Sequence, residues 1–403
     1  MLTKIKADLV DIIFDANGRT SKLVDRIRLA QRIDFVLALA GSEVSDSEGI
    51  SAAGSSPELR RLTPAIDADA LLSHLSDQQK LPVSPKGITS PVVLTRAALS
   101  LIPHLTTVVD CGSFSSPHID HLKVGNEPGK AIVSGQALRP EIVEQLFQAG
   151  SKLADDLATS ESTRSCNISS NSDESLIVLS ECVPGGTTTA QAIFMALGIE
   201  AENLLSSSMP EGNHEAKIAM AKTGISKAAE RLGLEKSDLT SYFRSNPLAA
   251  IAAVGDPMQA FAAGFISRRH GKNENDKEED GKTDSNITIL AGGSQMLAVY
   301  ALAKLLASNE GLELSNLLVA TTKWVAHDKW AQTTKLATLV DAPFVACNFA
   351  LSESCHAGLR AYEEGHVKEG VGAGATILLA NILARVEEAT ILQTIDSFYT
   401  VLT

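Results

Sequence analysis

The segment LIVLSECVPGGTTTAQAIFMAL, residues 176–197, contains a strand, a turn and a helix in direct succession. Its first residues form an apolar run that is typical of a buried strand in a parallel sheet. Gly185 and Gly186 then predict a turn, and the alanine-rich stretch behind the threonines predicts a helix. Glu181 ends the strand. Its carboxylate is therefore expected beside a helix N-terminus, a position that favours a bound anion.

Apolar runs of the same kind recur along the chain between segments with helical periodicity. They predict about six buried strands, which begin near Phe35, Thr106, Leu176, Ile287, Asn316 and Phe344. The helical segments begin near His214, Asn246, Gly293 and Ala373. This alternation predicts an α/β fold, with a doubly wound and mostly parallel sheet covered by helices on both faces. Residues 1–31 and 351–403 fall outside the alternation, so we expect a small helical subdomain from both chain ends beside a large α/β domain of residues 32–350.

Composition and charge exclude several classes of protein. With 403 residues, of which 44% are hydrophobic, the chain can form a substantial core. The net charge of -13 disfavours a nucleic-acid surface, although a local basic pocket could bind one phosphate. No apolar run has the length of a membrane span, and the first residues lack the features of a secretory signal, so we expect a cytoplasmic protein. The scattered cysteines have no C-x-x-C spacing, so we expect reduced thiols and neither a zinc site nor disulfides.

Polar, glycine-rich turns follow several of the predicted strands. In an open α/β sheet, ligands bind beyond the carboxyl ends of the strands. Glycines let the backbone approach a ligand closely, and the amides at a helix start bind phosphate. We therefore predict a site for a phosphorylated small molecule, although tight helix–strand packing is the alternative role of any single glycine pair. The candidate substrate-binding residues in these turns are Gly185, Gly186, Thr187, Thr188, Gly255, Gly292, Gly293, Thr321 and Thr322.

A second glutamate also precedes a cluster of glycines. Glu369 is followed by Gly370, Gly372 and Gly374, and then by a long apolar segment. Glycines at this density indicate a loop whose backbone must fit around something. A glutamate at the mouth of an apolar pocket can have a raised pKa and serve as a general base. The alternative is a solvated acidic residue that the helix dipole favours. Dinucleotide, P-loop, zinc-protease and α/β-hydrolase fingerprints do not occur in the sequence.

Five segments resemble, in order and approximate spacing, the motifs of nicotinate-nucleotide:dimethylbenzimidazole phosphoribosyltransferases. They are SECVPGGTTTAQAI (180–193), NPLAAIAAVGDPMQAFAAGF (246–265), ITILAGGSQM (287–296), LLVATTKWVAHDKW (317–330) and VKEGVGAGATILLANI (367–382). The family also has a segment similar to GISAAGSSPELRRLTPAIDADAL at Gly49. The resemblance extends from about Phe35 to the C-terminus, and the chain looks most like a divergent branch of the family.

This resemblance implies an enzyme, a glycosyltransferase that uses no cofactor and no metal. Members of the family transfer phosphoribose from nicotinate mononucleotide to a benzimidazole or purine base and invert the anomeric carbon from β to α. The product is an α-ribotide for the lower nucleotide loop of cobamides. The family fold has a large domain with a parallel sheet, a small domain from both chain ends, and a homodimer in which the neighbouring subunit can approach the site.

The resemblance also implies roles for particular residues. Glu369 would be the general base that takes the proton of the incoming ring nitrogen. Glu181 would lie at the active site, where we expect it to hydrogen-bond the ribose hydroxyls and favour positive charge at the anomeric carbon. Gly185, Gly186 and Thr187 would bind the ribose phosphate through backbone donors. Further substrate contacts are implied at Ser51, Gly255, and Thr321 or Thr322.

Two segments depart from the family pattern. The family's GIGNTT reads VPGGTTT at residues 183–189, and its DHG after the first strand reads LAGS at residues 39–42. Both differences affect contacts to the base and the ribose, so the identity of the acceptor stays open. The alternatives to a benzimidazole are adenine, another purine or a phenol. Two other interpretations also stay open: a non-catalytic or regulatory nucleotide-binding protein of the same fold, and an unrelated α/β protein that binds phosphate.

Overall fold

The structure is a computed structural model that describes residues 8–74, 81–165, 175–272 and 286–403. Its strands are β1 (Val10–Phe14), β2 (Ile33–Leu39), β3 (His104–Asp110), β4 (Leu122–Lys123), β5 (Ser175–Cys182), β6 (Gly271–Lys272), β7 (Asn286–Ala291), β8 (Glu313–Leu314), β9 (Leu317–Thr322) and β10 (Phe344–Cys347). Its α-helices are α1 (Arg19–Ile27), α2 (Pro57–Leu72), α3 (Val92–Leu99), α4 (Pro140–Ser165), α5 (Gly186–Ala196), α6 (His214–Leu232), α7 (Lys236–Ser245), α8 (Pro247–Val254), α9 (Pro257–His270), α10 (Ser294–Asn309), α11 (Lys323–Ala326), α12 (Thr333–Val340), α13 (Ala357–Arg360), α14 (Ala373–Ile382) and α15 (Glu388–Leu402).

Eight of the strands form one sheet in the order β1-β10-β9-β7-β5-β2-β3-β4. Every neighbouring pair in it is parallel except β1 and β10, which are antiparallel. The strands predicted from apolar runs are β2, β3, β5, β7, β9 and β10, so the predicted α/β fold is confirmed. The edge strands β1 and β4 were not predicted, because neither is a continuous buried run.

Alternate side chains of the central strands enter two separate cores. On β2, Phe35 and Leu37 belong to one core, whereas Val36 and Ala38 belong to the other. Helices α5, α6, α8, α9 and α10 contribute to the core that contains Val36. Helices α2, α3, α14 and α15 contribute to the core on the opposite face. Because both faces are covered, all residues of β2 are buried, which explains the continuous apolar run from Phe35 to Leu39.

The two chain ends differ in part from the helices that we expected. Residues 10–14 form β1, which pairs with β10 at the edge of the main sheet. The expected long C-terminal helix is divided into α14 and α15 by a turn in which Arg385 has a φ of 54°. Helix α14 packs against β9 and β10, close to the strand ends. The division into a large domain and a small helical subdomain stays a prediction.

The helical segment from Asn246 is also divided, at Gly255, into α8 and α9. Asp256 begins α9 with a capping box: its Oδ1 accepts from the Gln259 amide at 3.0 Å, and the Gln259 side chain accepts from the Asp256 amide at 3.2 Å. The Asp256 carboxylate also accepts a hydrogen bond from the Thr189 hydroxyl. The start of α9 is therefore tied to the first turns of α5, directly behind the turn that follows β5.

The composition of the serine-rich residues 160–175 and of the charged residues 270–286 predicts solvated surface in both segments. Of these, residues 166–174 and 273–285 lie outside the described residues. Within the described residues, no helix combines the length and the apolar character needed to cross a membrane.

Candidate active site

A cavity with an empty volume of about 850 Å³ opens at the carboxyl ends of the parallel strands. Turns that follow β2, β5 and β7 form its walls together with the loop before α14. Seven of the residues singled out in the sequence line it together: Ser51, Glu181, Gly185, Gly186, Thr187, Gly293 and Glu369.

Glu181 lies at the end of β5, with its side chain at the cavity wall and only 4% of its surface exposed. Its Oε2 accepts a hydrogen bond from the Val183 amide at 3.0 Å, and its Oε1 accepts one from Gln295 Nε2 at 3.0 Å. Gln295 belongs to the first turn of α10, which follows β7, the neighbour of β5 in the sheet. Two adjacent strand ends therefore fix the position of this carboxyl.

Glu369 lies in the loop before α14 and is held by four donors. Its Oε1 accepts from the amides of Gly370 at 3.1 Å and Gly374 at 3.3 Å. Its Oε2 accepts from the Thr322 amide at 2.9 Å and from the Thr321 hydroxyl at 3.2 Å. Thr321 and Thr322 end β9, so this carboxyl is attached both to the sheet and to the start of α14.

The segments that carry the two glutamates are joined directly, because the Val371 amide donates to the Glu181 carbonyl at 3.0 Å. Burial raises the pKa of the Glu181 carboxyl to about 8, and repulsion from Glu369 and Asp256 adds to this effect. Burial also raises the pKa of Glu369 to about 7, against the opposing influence of the amides that it accepts from. The result is a pair of carboxyls that both titrate near neutral pH, the range in which a side chain is most effective in proton transfer.

The turn after β5 begins α5 with Gly185 in the left-handed region, at a φ of 83°. The Gly186 amide donates to the Val183 carbonyl at 2.9 Å, and the Thr188 amide donates to the Gly185 carbonyl at 2.8 Å. The amides of Gly185 and Thr187 are thus the candidate donors to an anion in this turn. Gly186 also leaves room for Gln295, since a Cβ at Gly186 would lie 1.6 Å from Gln295 Oε1.

Other predicted residues support the cavity from behind. Gly292 lies beside Glu181, whose Oε1 would be 3.7 Å from a Cβ at this position. Thr321 and Thr322 hold Glu369, as described, and Thr188 is fully buried in α5. Gly255 is not at the cavity: a Cβ there would lie 2.8 Å from Ile251 Cα, which indicates close packing within the α8–α9 corner.

A buried group of charges beside the cavity was not predicted from the sequence. Lys368 Nζ forms an ion pair of 2.6 Å with Asp328, and their side chains are 2% and 4% exposed. Lys368 Nζ also donates to the Met209 carbonyl at 2.9 Å, and Asp328 accepts from the Ser206 hydroxyl at 2.7 Å. Lys368 and Ser206 both line the cavity. Because Lys368 precedes Glu369, this ion pair anchors the start of the loop that carries the second glutamate.

Lys217 on α6 is fully buried, and its Nζ has no hydrogen-bond partner within the described parts of the chain. Burial lowers the pKa of its ammonium to about 7; repulsion from Lys368 acts in the same direction and attraction to Asp328 opposes it. A signal in the sequence could have identified this residue, because Lys217 shares the buried face of α6 with Ala221 and Ile225, four and eight residues later. A lysine on an apolar stripe is rarely buried without a reason.

Asp67 on α2 was also missed, although it lies in a segment that resembles the family. It lines the cavity with Ser90 and Cys182.

Within the described residues, one group of side chains could hold a metal ion, and it consists of Cys355, His356 and Asp396. None of these three lines the cavity.

The fold and the cavity define the class: a doubly wound α/β protein with a small-molecule site at the carboxyl ends of its strands. No protein-family model matches the chain. A UPF0284 protein of Trichodesmium erythraeum (strain IMS101) is 34% identical over 362 residues, which cover 87% of this chain and 88% of that protein. A UPF0284 protein of Gloeobacter violaceus is 36% identical over 371 residues, which cover 91% and 88%. The chain belongs to the UPF0284 family.

A further relative and a solved structure extend the comparison. A UPF0284 protein of Saccharolobus solfataricus is 34% identical over 366 residues, which cover 91% of this chain and 92% of that protein. Among solved structures, CobT from Thermus thermophilus is similar, with a TM-score of 0.53, an identity of 18%, and coverage of 94% of this chain and 91% of that chain. The resemblance of the motifs is thereby confirmed for the fold.

Proposed function

We propose that this protein transfers the phosphoribosyl group of nicotinate mononucleotide to a benzimidazole-type or purine base, with inversion at the anomeric carbon. The observation that carries the proposal is that Glu181 and Glu369 line one cavity, with pKa values raised toward neutrality, beside a turn that begins a helix. The fold shared with CobT from Thermus thermophilus and the order of the motifs support it.

The chemistry requires a base but no acid at the leaving group. Nicotinate on ribose is a cationic pyridinium, so its ring departs as a neutral group when it takes the bonding electron pair of the C–N bond. A ring nitrogen of the acceptor attacks the anomeric carbon from the opposite face, which produces inversion. The N–H proton of the acceptor must then go to a base, and we assign this role to Glu369. Its pKa of about 7 makes it partly ionised at neutral pH.

Glu181 and the turn after β5 would hold the nucleotide. The ribose phosphate accepts from the amides of Gly185 and Thr187, at the positive end of α5. Glu181 faces the sugar, where its proton can be donated to a hydroxyl, or where its ionised form favours positive charge at the anomeric carbon. Gln295 keeps the Glu181 carboxyl in place through the bond of 3.0 Å.

The test is the Glu369→Gln variant. Product formation from nicotinate mononucleotide and a panel of bases, read by mass, should fall by roughly 10²- to 10⁴-fold. Binding of nicotinate mononucleotide, measured by calorimetry, should change little because we assign Glu369 to the acceptor and not to the nucleotide. Glu364→Gln, in an exposed position on the same segment, is the matched control and should keep full activity. Undiminished turnover in Glu369→Gln would show that the assignment is wrong.

A pH profile provides a second, independent check. Because Glu369 must be ionised to accept a proton, kcat/KM of the wild type should rise through about pH 7 and level off above it. Tight binding of nicotinate mononucleotide with no release of nicotinate in the presence of any base would instead indicate a non-catalytic nucleotide-binding protein. We also propose a homodimer, which sedimentation of the purified chain would test.

A further inference from the structure

Asp67 is a buried carboxyl at the cavity with one unused oxygen. Only 1% of its surface is exposed. Its Oδ2 accepts from the Ser90 hydroxyl at 2.7 Å and from the Cys182 thiol at 3.4 Å. Its Oδ1 has no hydrogen-bond partner among the residues that the structure describes. A buried carboxyl oxygen without a partner is costly, and at a cavity wall a ligand can supply the missing partner.

Contacts place this carboxyl between the segments that carry the two glutamates. Cys182, which donates to Asp67, directly follows Glu181. Ser90, the other donor, precedes Pro91, whose Cγ would lie 3.3 Å from a Cβ on Gly370, the residue after Glu369. Asp67 therefore lies at the same cavity as Glu369, near the segment that carries the proposed general base.

The surroundings of Asp67 suit the flat ring of an aromatic base. The segment 82–91 that carries Ser90 also contributes apolar side chains to the cavity, namely Pro82, Val83, Ile88 and Pro91. Ala52 and Ala53, from the turn after β2, line the same cavity. An apolar wall with a few placed polar groups is the usual form of a site that selects one ring by its substituents.

We propose that Asp67 is a specificity-determining residue whose Oδ1 pairs with an amino group of the acceptor, so that the acceptor is an amino-substituted purine in preference to a dimethyl-substituted benzimidazole. This inference rests on the proposed function, because it concerns the acceptor of that reaction. Methyl groups at this position would leave Oδ1 unpaired, whereas an amino group donates to it.

The protonation state of Asp67 sets the pH at which this pairing is tested. Burial raises the pKa of Asp67 to about 7, against the opposing effect of the donors Ser90 and Cys182. Since Oδ2 already accepts from both donors, a proton on this carboxyl belongs on Oδ1, where it would block the pairing with an amino group. The ionised Oδ1 accepts from the amino group, so the acceptors are compared at about pH 8, where Asp67 is mostly ionised. Two methyl groups offer no such donor.

The test compares kcat/KM for adenine and for 5,6-dimethylbenzimidazole, with nicotinate mononucleotide as donor. The wild type should prefer adenine by roughly 10- to 100-fold. In Asp67→Asn, an amide nitrogen at the Oδ1 position cannot accept, so this preference should fall at least about tenfold. Asp69→Asn is the matched control: Asp69 is on the same helix but accepts from His118 and Ile119, outside the cavity, and the ratio should be that of the wild type.

The outcomes separate this inference from the proposed function. The proposed function stands and this inference is overturned by either of two results. One is that the wild type prefers 5,6-dimethylbenzimidazole to adenine, and the other is that Asp67→Asn slows the reactions of both acceptors equally. An equal loss of rate with both acceptors would indicate that Oδ1 contacts the sugar of the nucleotide and not the acceptor. If no base reacts, the proposed function fails, and calorimetric binding of adenine decides the inference: unchanged affinity in Asp67→Asn overturns it. Should Asp67→Asn fail to fold, Ser90→Ala removes a donor that positions Asp67 and should lower the ratio in the same direction.

Discussion

Replacing Glu181 by glutamine should stabilise the protein, and increasingly so as the pH rises. The pKa of Glu181 is about 8 in the folded protein, against 4.5 for an ordinary glutamate. Between these values, the folded protein holds a proton that the unfolded chain has lost, so the wild type loses stability as the pH rises. One pKa unit corresponds to about 1.4 kcal/mol. From about pH 5.5 to about pH 8, the wild type should therefore lose roughly 3 kcal/mol relative to Glu181→Gln.

The assay is the melting temperature of both proteins at the two pH values. For a chain of this length, 3 kcal/mol corresponds to a difference of roughly 3 to 4 °C. Glutamine keeps the shape of the side chain, and its amide can still bond with Val183 and Gln295. Glu230→Gln, on the exposed side of α6, controls for the change in net charge and should show no such trend. If Glu181→Gln is less stable than the wild type by the same amount at both pH values, the folded protein does not raise the pKa of Glu181.

Two further substitutions test the supports of the site. Asp328→Asn leaves the buried Lys368 without its counter-ion at 2.6 Å, so the free energy of unfolding in urea should fall by about 3–5 kcal/mol. Gly374→Ala would place a Cβ 2.2 Å from the Thr321 carbonyl carbon, so α14 must shift and with it the amide that donates to Glu369. Phosphoribosyl transfer by Gly374→Ala should fall at least about tenfold, and a mass assay measures it.

Much of the fold could be predicted from the sequence because the central strands are buried on both faces. A strand such as β2 has no solvent-facing residues, so most of it, from Phe35 to Leu39, is a continuous apolar run. Strand β1 is only partly buried and pairs at an edge, so it has no such signal. The turn at Arg385 was missed because its backbone is in the left-handed region, and an arginine does not predict that conformation as a glycine would.

The two glutamates could be found because each stands next to several glycines at a predicted strand end or helix start. The polar groups around them could not, because their partners are distant in sequence. Asp67 meets Ser90 and Cys182, the second of which is 115 residues away. Lys368 meets Asp328, 40 residues away. Such pairs have no periodicity or motif, and only the packed chain shows that they adjoin one cavity.

The raised pKa values resolve the conflict between a carboxylate and an anion at the same strand end. If Glu181 were ionised in the empty cavity, it would repel the phosphate that the turn after β5 is expected to bind. With a pKa of about 8, it is mostly protonated at pH 7 and repels little. Under the proposed function, the phosphate of nicotinate mononucleotide would raise this pKa and the pyridinium ring would lower it. Because Glu181 is assigned to the sugar, next to the ring, we expect the ring to dominate and the carboxylate to form on binding.

This coupling predicts that nicotinate mononucleotide binding releases protons near pH 7. Calorimetry in two buffers with different ionisation enthalpies counts the protons released, and Glu181→Gln, which cannot ionise, should release fewer than the wild type. Reduced nicotinate mononucleotide has the same phosphate and carboxylate but an uncharged ring, so it should bind with less release. Equal release by both nucleotides would mean that the phosphate, and not the ring, drives the titration, and Glu181 would then have no part in recognising the cation.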